Sequence, residues 1–267
     1  MPLRIVQSKQ NSRLKELRRA FAQPGRGAQG LAAIEGPNLL AEALRAGLAL
    51  RTVFVAESAQ HLLDGLALPP EVEVLILPGD LLLSALATEA PQPIAALVQP
   101  PRWTWHDILQ PAASTAPLIL VLAGLQDPGN IGTILRSAEA FAATGIVALP
   151  GTVSPWNPKA VRASAGSVFR LPLLHAEPAD CLARLHAAGL QTFATIPHGA
   201  APAPEADLAA PVALLIGNEG NGLAPELARQ ASAAITIPCP GPVESLNAAV
   251  ATSILLYEAS RQRGGKP

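Results

Sequence analysis

The chain has 267 residues, with 19 Lys and Arg against 20 Asp and Glu and only two cysteines. Its length allows one large or two ordinary domains, each with a substantial core, and its near-zero net charge neither requires nor excludes a nucleic-acid partner. Cys181 and Cys239 lie far apart without paired His or Cys at ligand spacing, which argues against a disulfide framework and against a bound metal.

Arg4, Lys9 and Arg13 interrupt any apolar stretch near the start, so no signal-peptide core is seen, and no uncharged apolar run approaches a membrane span. A soluble protein of the reducing cytoplasm is expected. Charge is uneven, however: residues 1–26 carry Arg4, Lys9, Arg13, Lys15, Arg18, Arg19 and Arg26 against Glu16 alone. Either a polyanion partner or a merely solvated first helix accounts for this excess.

Ser8 to Ala20 has the pattern of a capped basic helix with Leu14, Leu17 and Phe21 as its buried stripe. Glu35-Gly36-Pro37-Asn38 leads into a short helix over Leu39–Ala46, stopped by Gly47. Thr52–Val55, Val72–Ile76 and Ile94–Val98 are expected strands and Leu81–Leu86 a helix, which together imply a small α/β domain over residues 1–100. Pro100, Pro101, Pro111 and Pro117 mark residues 101–116 as an irregular linker, to which Trp103 and Trp105 pin a neighbouring domain or on which they offer stacking surfaces.

A second α/β domain is expected over 117–267. Leu118–Ala123 is apolar without alternation, as in a parallel strand buried on both faces. A helix over Ile131–Ala143 that ends at Gly145, a strand at Ile146–Leu149, a helix at Pro158–Ser164 and strands at Gln191–Ile196 and Val212–Ile216 follow. Then come a helix at Pro225–Gln230, a strand at Ile235–Ile237 and a closing helix over Ser245–Ser260, while Ala200–Ala210 is expected to be a surface loop.

Three strand-to-loop stops carry the candidate chemistry. Asp127-Pro128-Gly129-Asn130 joins a buried strand to a helix, a location where free backbone N–H groups meet ligands. Asn130 is placed to cap that helix, and Arg136 near its start opposes the macrodipole, which points to an anionic partner or to an ion pair with Glu139 or Asp127. Gly217-Asn218-Glu219-Gly220 puts a carboxylate directly after a strand, either as a loop-ordering group or as part of an active site. Ser245 is a good N-cap for the last helix, a role that leaves Asn247 unexplained. The chain lacks a G-x-G-x-x-G after a strand, a Walker A loop and a G-x-S-x-G elbow, and its five histidines pair with no nucleophile, so nucleotide hydrolysis, acyl transfer and Rossmann-type redox chemistry rank low.

Three blocks in order, Asp127–Arg136, Ile216–Gly220 and Ile237-Pro238 through Glu244-Ser245-Leu246-Asn247-Ala248-Ala249-Val250, resemble the three motifs of the SpoU (TrmH-type) RNA ribose 2′-O-methyltransferases. Lys159–Ser167 shares the similarity. More loosely, Ser8–Asn11, Glu35–Leu40 and Ala90–Ile94 resemble that family's ribosomal-protein-like RNA-substrate-binding domain.

The resemblance implies a mostly parallel sheet with helices on both faces and a C-terminal trefoil knot. It also implies a homodimer built through the knotted domain, and S-adenosylmethionine bound against Gly217, Asn218, Ile237, Pro238 and Leu246. The implied reaction is methylation of a ribose 2′-hydroxyl, in ribosomal RNA ahead of transfer RNA. Arg136 would grip phosphate and stabilise developing alkoxide charge, and Asn130, Glu219, Ser245 and Asn247 would orient it and the ribose. Lys9, Arg13, Lys15, Arg18, Arg19 and Arg162 are the candidate RNA-binding residues. Cys239, where the family often has Met, and Pro242 are departures that leave the motif residues intact. The rival reading is a noncatalytic RNA-binding protein that keeps the fold.

Overall fold

The computed structural model describes residues 3–25, 30–86, 88, 90–110 and 115–264, so Arg26 and Pro111 lie outside the described residues. Tertiary contacts divide the chain into two units, one of Met1–Pro101 with Ser154–Arg170 and the other of Arg102–Val153 with Leu171–Pro267. The expectation of one uninterrupted domain over 117–267 differs from this division, because Ser154–Arg170 makes its contacts in the first unit. There Arg170 Nη1 pairs with Glu42 Oε2 at 2.8 Å. At Gly166, whose φ is +91°, a Cβ would lie 2.9 Å from Glu42 Cβ, so only glycine permits the approach.

The first unit contains β1 (Leu3–Ile5), α1 (Ser12–Ala22), β2 (Ala32–Glu35), α2 (Pro37–Arg45), β3 (Leu50–Ala56), β4 (Glu73–Leu77), α3 (Gly79–Leu83) and β5 (Ile94–Val98). Its sheet runs β1-β4-β3-β5-β2, with β5 antiparallel to both neighbours. Helix α1 starts later than expected because Asn11, not Ser8, caps it: Asn11 Oδ1 accepts from the N–H groups of Arg13 at 2.9 Å and Leu14 at 3.3 Å. Leu14, Leu17 and Phe21 are buried as the spacing requires. Strands β1 and β2 are three and four residues long and have no expectation behind them; β2 is buried throughout, so it shows no alternation to detect.

The second unit opens on α4 (Trp105–Leu109), inside the expected linker. Thr104 and Asp107 form a capping box there, with Asp107 Oδ2 accepting from both the N–H and the hydroxyl of Thr104 at 2.7 Å, and the prolines flank the helix rather than break it. Trp105 is held by the Arg184 guanidinium 5.5 Å over its ring. The unit continues with β6 (Leu118–Leu122), α5 (Pro128–Ala140) and β7 (Gly145–Ala148). After α6 (Pro158–Ser164), which belongs to the first unit, come β8 (Leu173–His175), α7 (Pro178–Ala187), β9 (Gln191–Thr195), β10 (Ala201–Pro202), β11 (Val212–Ile216), α8 (Pro225–Gln230), β12 (Ala233–Thr236) and α9 (Ala248–Gln262). The sheet order is β10-β12-β9-β11-β6-β7-β8, and every pairing is parallel.

Alternation along the central strands sends Ile119, Val121, Ala213 and Leu215 into a core with Ile108, Cys181, Leu182, Leu185 and Leu227, so α4, α7 and α8 cover that face. The buried residues of α5 and α9 stand outside this cluster, and the two helices pack together through Ser137 and Ser253, whose hydroxyls are 2.8 Å apart. Three expectations are corrected. Helix α5 ends at Ala140, with Ala142 left-handed at φ +57°, and Gly145 opens β7 instead of closing the helix. Residues 200–210 hold a strand and a 3-10 turn where a plain loop was expected, and Ile237 lies just past β12.

Gly145 is required by packing: a Cβ there would stand 2.6 Å from Ile108 Cγ1. Gly145→Ala should destabilise the second unit by about 1–3 kcal/mol, the range for overpacking a core, read as a lowered midpoint in thermal unfolding.

Candidate active site

The carboxyl ends of parallel strands deliver the site. Strands β9, β11 and β12 end at Thr195, Ile216 and Thr236, and the loops that leave them line a cleft of about 720 Å³ in the second unit. Ligands of open α/β sheets bind at such an edge, where the turns expose unpaired main chain. Gly217 shows how closely main chain is folded here: a Cβ on it would lie 2.3 Å from both Gly222 C and Leu223 N. The turn that follows is closed by Asn218 and Gly222, which exchange backbone hydrogen bonds of 3.0 and 2.9 Å. Asn218 stitches the turn further, its Oδ1 accepting from Gly220 N and Asn221 N and its Nδ2 donating to Gly124 O at 2.7 Å.

Three distant segments meet through Glu219. Its carboxylate accepts from Asn130 Nδ2 at 3.0 Å, from Gln126 N at 3.2 Å and from Asp127 N at 3.3 Å. Asn130 Oδ1 in turn accepts from Asn247 Nδ2 at 3.0 Å, and Asn247 Oδ1 accepts from the N–H groups of Ala249 and Val250 at the start of α9. Each carboxamide uses its donor on one neighbour and its acceptor on the next, which gives the chain of bonds a direction. Burial pushes the Glu219 pKa up, but the bonds from Asn130 and from the backbone N–H groups outweigh it and hold the carboxyl below the usual carboxylate range.

The caps are therefore shared out differently from the sequence reading. Asp127 caps α5, its Oδ1 accepting from Gly129 N at 2.5 Å and Asn130 N at 3.2 Å, with Pro128 at the first helical position where a missing N–H costs nothing. That releases the Asn130 side chain for Glu219. Asn247, not Ser245, caps α9. Ser245 is exposed and lines the cleft with Leu246.

Because α5 begins at Pro128, Arg136 is its ninth residue, in the second half of the helix, and the macrodipole no longer opposes it. Arg136 is exposed and forms no ion pair among the described residues, so the expected pairing with Glu139 or Asp127 is absent. Gly217, Asn218, Ile237 and Leu246 line the cleft, while Pro238 stands exposed between two lining residues, Ile237 and Cys239. The sequence reading missed Thr195, His198 and the α9 residues Ala248, Ala251 and Leu255, which also line it. The end of β9 was the available signal for Thr195; an Ala-rich helix gives none for the last three.

In the first unit, Arg13 is paired with Glu16 at 3.0 Å and Glu73 at 3.1 Å, while Lys9, Lys15 and Arg19 on or beside α1 are exposed, as is Arg162 on α6. Arg18 Nη2 donates to Ser84 Oγ at 3.3 Å. Among the described residues no group of His, Cys, Asp and Glu is arranged to hold a metal ion, and no helix is long and apolar enough to cross a membrane.

A parallel sheet whose carboxyl edge forms a cleft walled by main chain, beside a fixed amide–carboxylate network, is the arrangement in which open α/β enzymes bind a cofactor, although Arg136 is not among the residues that line the cleft. The sequence profile of the SpoU rRNA Methylase family matches residues 117–257. An uncharacterised tRNA/rRNA methyltransferase from Synechocystis is 35% identical, the match covering 97% of this chain and 94% of that protein. The 23S rRNA guanosine 2′-O-methyltransferase RlmP of Bacillus subtilis is 29% identical over 96% of this chain and 98% of its own length. Among solved structures, the SpoU methyltransferase AviRb from Streptomyces viridochromogenes in complex with AdoMet superposes with a TM-score of 0.83, at 30% identity, covering 97% of this chain and 100% of that one. The chain belongs to the SpoU rRNA methylase family.

The lowered pKa of Glu219 has a sign that can be checked. A carboxylate depressed in the folded state contributes stability that is fully present above its unfolded pKa of about 4.3 and is lost as pH falls through the folded value. The stability difference between the wild type and Glu219→Gln should thus be present at neutral pH and vanish below that carboxylate range in urea unfolding followed against pH.

Proposed function

We propose that this protein methylates a ribose 2′-hydroxyl of ribosomal RNA, taking the methyl group from S-adenosylmethionine held in the cleft of the second unit. The observation that carries the reading is the bond chain Asn247–Asn130–Glu219, which draws the three motif segments to one side of that cleft. The cleft fits the cofactor: its volume, its apolar walls at Ile216, Ile237 and Leu255 and its exposed main chain at Gly217 and Leu246 suit an adenosyl group read by backbone. Bound there, the cofactor supplies an electrophilic methyl group. Ribosomal RNA is supported as substrate by the 23S rRNA methyltransferase among the relatives.

The residues divide the work by their chemistry. The 2′-hydroxyl is a weak nucleophile, so the site must hold its oxygen in line and stabilise the charge that develops as its proton leaves. Arg136 forms no ion pair among the described residues, which leaves its planar fork to grip phosphate. Asn130 and Asn247, their amides fixed by Glu219 and by the first turn of α9, orient the ribose; Ser245 stands beside them at the cleft. Lys9, Lys15, Arg18, Arg19 and Arg162 supply basic groups for RNA phosphates, whereas Arg13 braces the first unit through Glu16 and Glu73.

A trefoil knot is supported by the course of the tail, which passes the cleft at Leu246, caps α9 beside Asn130 and ends against the residues that precede β6 and β11. A homodimer is supported by an uncovered apolar stripe on α9: Val250 is 48%, Ile254 40% and Tyr257 59% exposed, at helical spacing on one side. Tyr257 also meets Phe141 of α5 edge to face.

Three measurements test this reading. Arg136→Lys should keep RNA binding and lose about 100-fold or more in turnover with saturating cofactor, the scale for removing a preorganised charge donor; turnover near the wild type would remove the need for a planar fork. Ile254→Asp with Tyr257→Asp should give a monomer by light scattering if the stripe is the dimer face. Mapping of lost 2′-O-methyl groups in total RNA from a deletion strain identifies the nucleotide, and an unchanged ribosomal pattern would overturn the proposed substrate.

A further inference from the structure

The far end of α9 holds a second polar anchor that the reaction does not account for. Arg263, the C-cap residue, is half-buried, and its guanidinium spends its N–H groups on main-chain carbonyls: Nε on Leu208 O at 2.8 Å, Nη2 on Pro117 O at 3.1 Å and Ala210 O at 2.6 Å, and Nη1 on Ala116 O. Its neighbour Gln262 accepts from Leu208 N at 2.8 Å, so one residue is held by both its N–H and its carbonyl. Residues 116 and 117 lead into β6, and residues 208 and 210 lead toward β11. These are the two central strands whose other ends release Gln126–Asn130 and Gly217–Gly222.

The strands, the two loops, the Asn130–Asn247 bond and α9 therefore form a closed frame with Arg263 as its last joint. We propose that Arg263 is a positioning residue for the methyl-transfer site, fixing how far α9 lies along its own axis. Leu255, Leu256 and the Ser253–Ser137 bond hold the middle of the helix, while its buried residues near the two ends, Ala249 and Ala259, are small, so the ends depend on the polar anchors at Asn247 and Arg263. Ala248, Ala251 and Leu255 form a wall of the cleft, so axial slip of α9 changes the cleft's shape as well as the place of Asn247. A lysine cannot replace this joint, because one ammonium does not reach carbonyls spread over two chain segments in a fork.

The inference rests on the cofactor reading of the cleft, and the test separates the two. Wild-type full-length protein is titrated with S-adenosylhomocysteine by calorimetry; absence of binding defeats the cofactor reading itself, and with it the premise for Arg263. Given binding, Arg263→Ala should weaken it by about tenfold or more, as displacements of order 1 Å do, and should speed amide exchange at Ala249 and Val250, about 20 Å away along the helix. The decisive readout is a double-mutant cycle with Asn247→Ala. Effects on affinity that are less than multiplicative are expected, since either change releases the same helix, whereas independent effects would make Arg263 a structural cap and overturn the proposal. If Arg263→Ala does not fold, Arg263→Lys serves in the same cycle. Wild-type affinity and unchanged exchange at Ala249 and Val250 in that variant would also overturn it.

Discussion

The site depends on one short relay of hydrogen bonds. Asn247 donates to Asn130 and Asn130 donates to Glu219, joining residues 117 and 89 positions apart in the chain. Nothing local could hold these three segments together, since each loop leaves a different strand or precedes a different helix. A carboxamide can do it because it carries donor and acceptor at fixed separation, so each member both receives its orientation and passes it on. The terminal acceptor must be a charge-bearing group that gathers several donors, and Glu219 meets that need with two backbone N–H groups besides Asn130. Glu219 and Asn247 are exposed, so water can take up a partner freed by replacement, and the loss is chiefly one of orientation.

The rigidity of this relay comes from beneath it. Strands β6 and β11 pair in full register from Val212 with Leu118 to Ile216 with Leu122, and both are buried along their whole length. Strands so enclosed cannot shift without opening the core, so the loops at their carboxyl ends start from fixed points. The close approach of Gly217 to Gly222 and Leu223 then folds one loop back on itself, closed by the reciprocal backbone bonds of Asn218 and Gly222. Sequence thus sets geometry in two stages, with apolar strands defining the platform and one obligatory glycine shaping its rim.

Much of this was legible in the sequence because it is local. Apolar runs without alternation marked β6 and β11, and prolines at the first helical position marked α6 and α8 to the residue. The caps were misassigned because cap preference names residue types and not positions. Ser245 and Asn247 are both good caps, as are Asp127 and Asn130, and the choice falls to whichever side chain the tertiary network leaves available. Asn130 is drawn to Glu219, so Asp127 caps. The linker reading missed α4 for a related reason, since Ile108 is a core residue whose partners at Thr144 and Gly145 come 36 and more positions later. The excursion of Ser154–Arg170 into the first unit rests on Arg170 and Glu42, 128 positions apart, a pairing no spacing rule reveals.

The position of Arg136 bears on what kind of catalysis the site performs. Had the arginine stood in the first turn of α5, the macrodipole would have lowered its affinity for its own proton, and a role as base could have been argued from that field. It stands instead at the ninth residue of α5, exposed, where its planar fork can bind an anion. The network that joins the three motif segments contains carboxamides, which do not titrate, and Glu219, whose bonds favour the ionised form but are already spent on Asn130 and the backbone. On the proposed reading the side chains supply orientation and charge, and the proton of the 2′-hydroxyl passes to a group outside them, the RNA phosphate or solvent. Such a site would accelerate the reaction by geometry, through the fixed angles of its amides and the frame proposed to hold α9 in place.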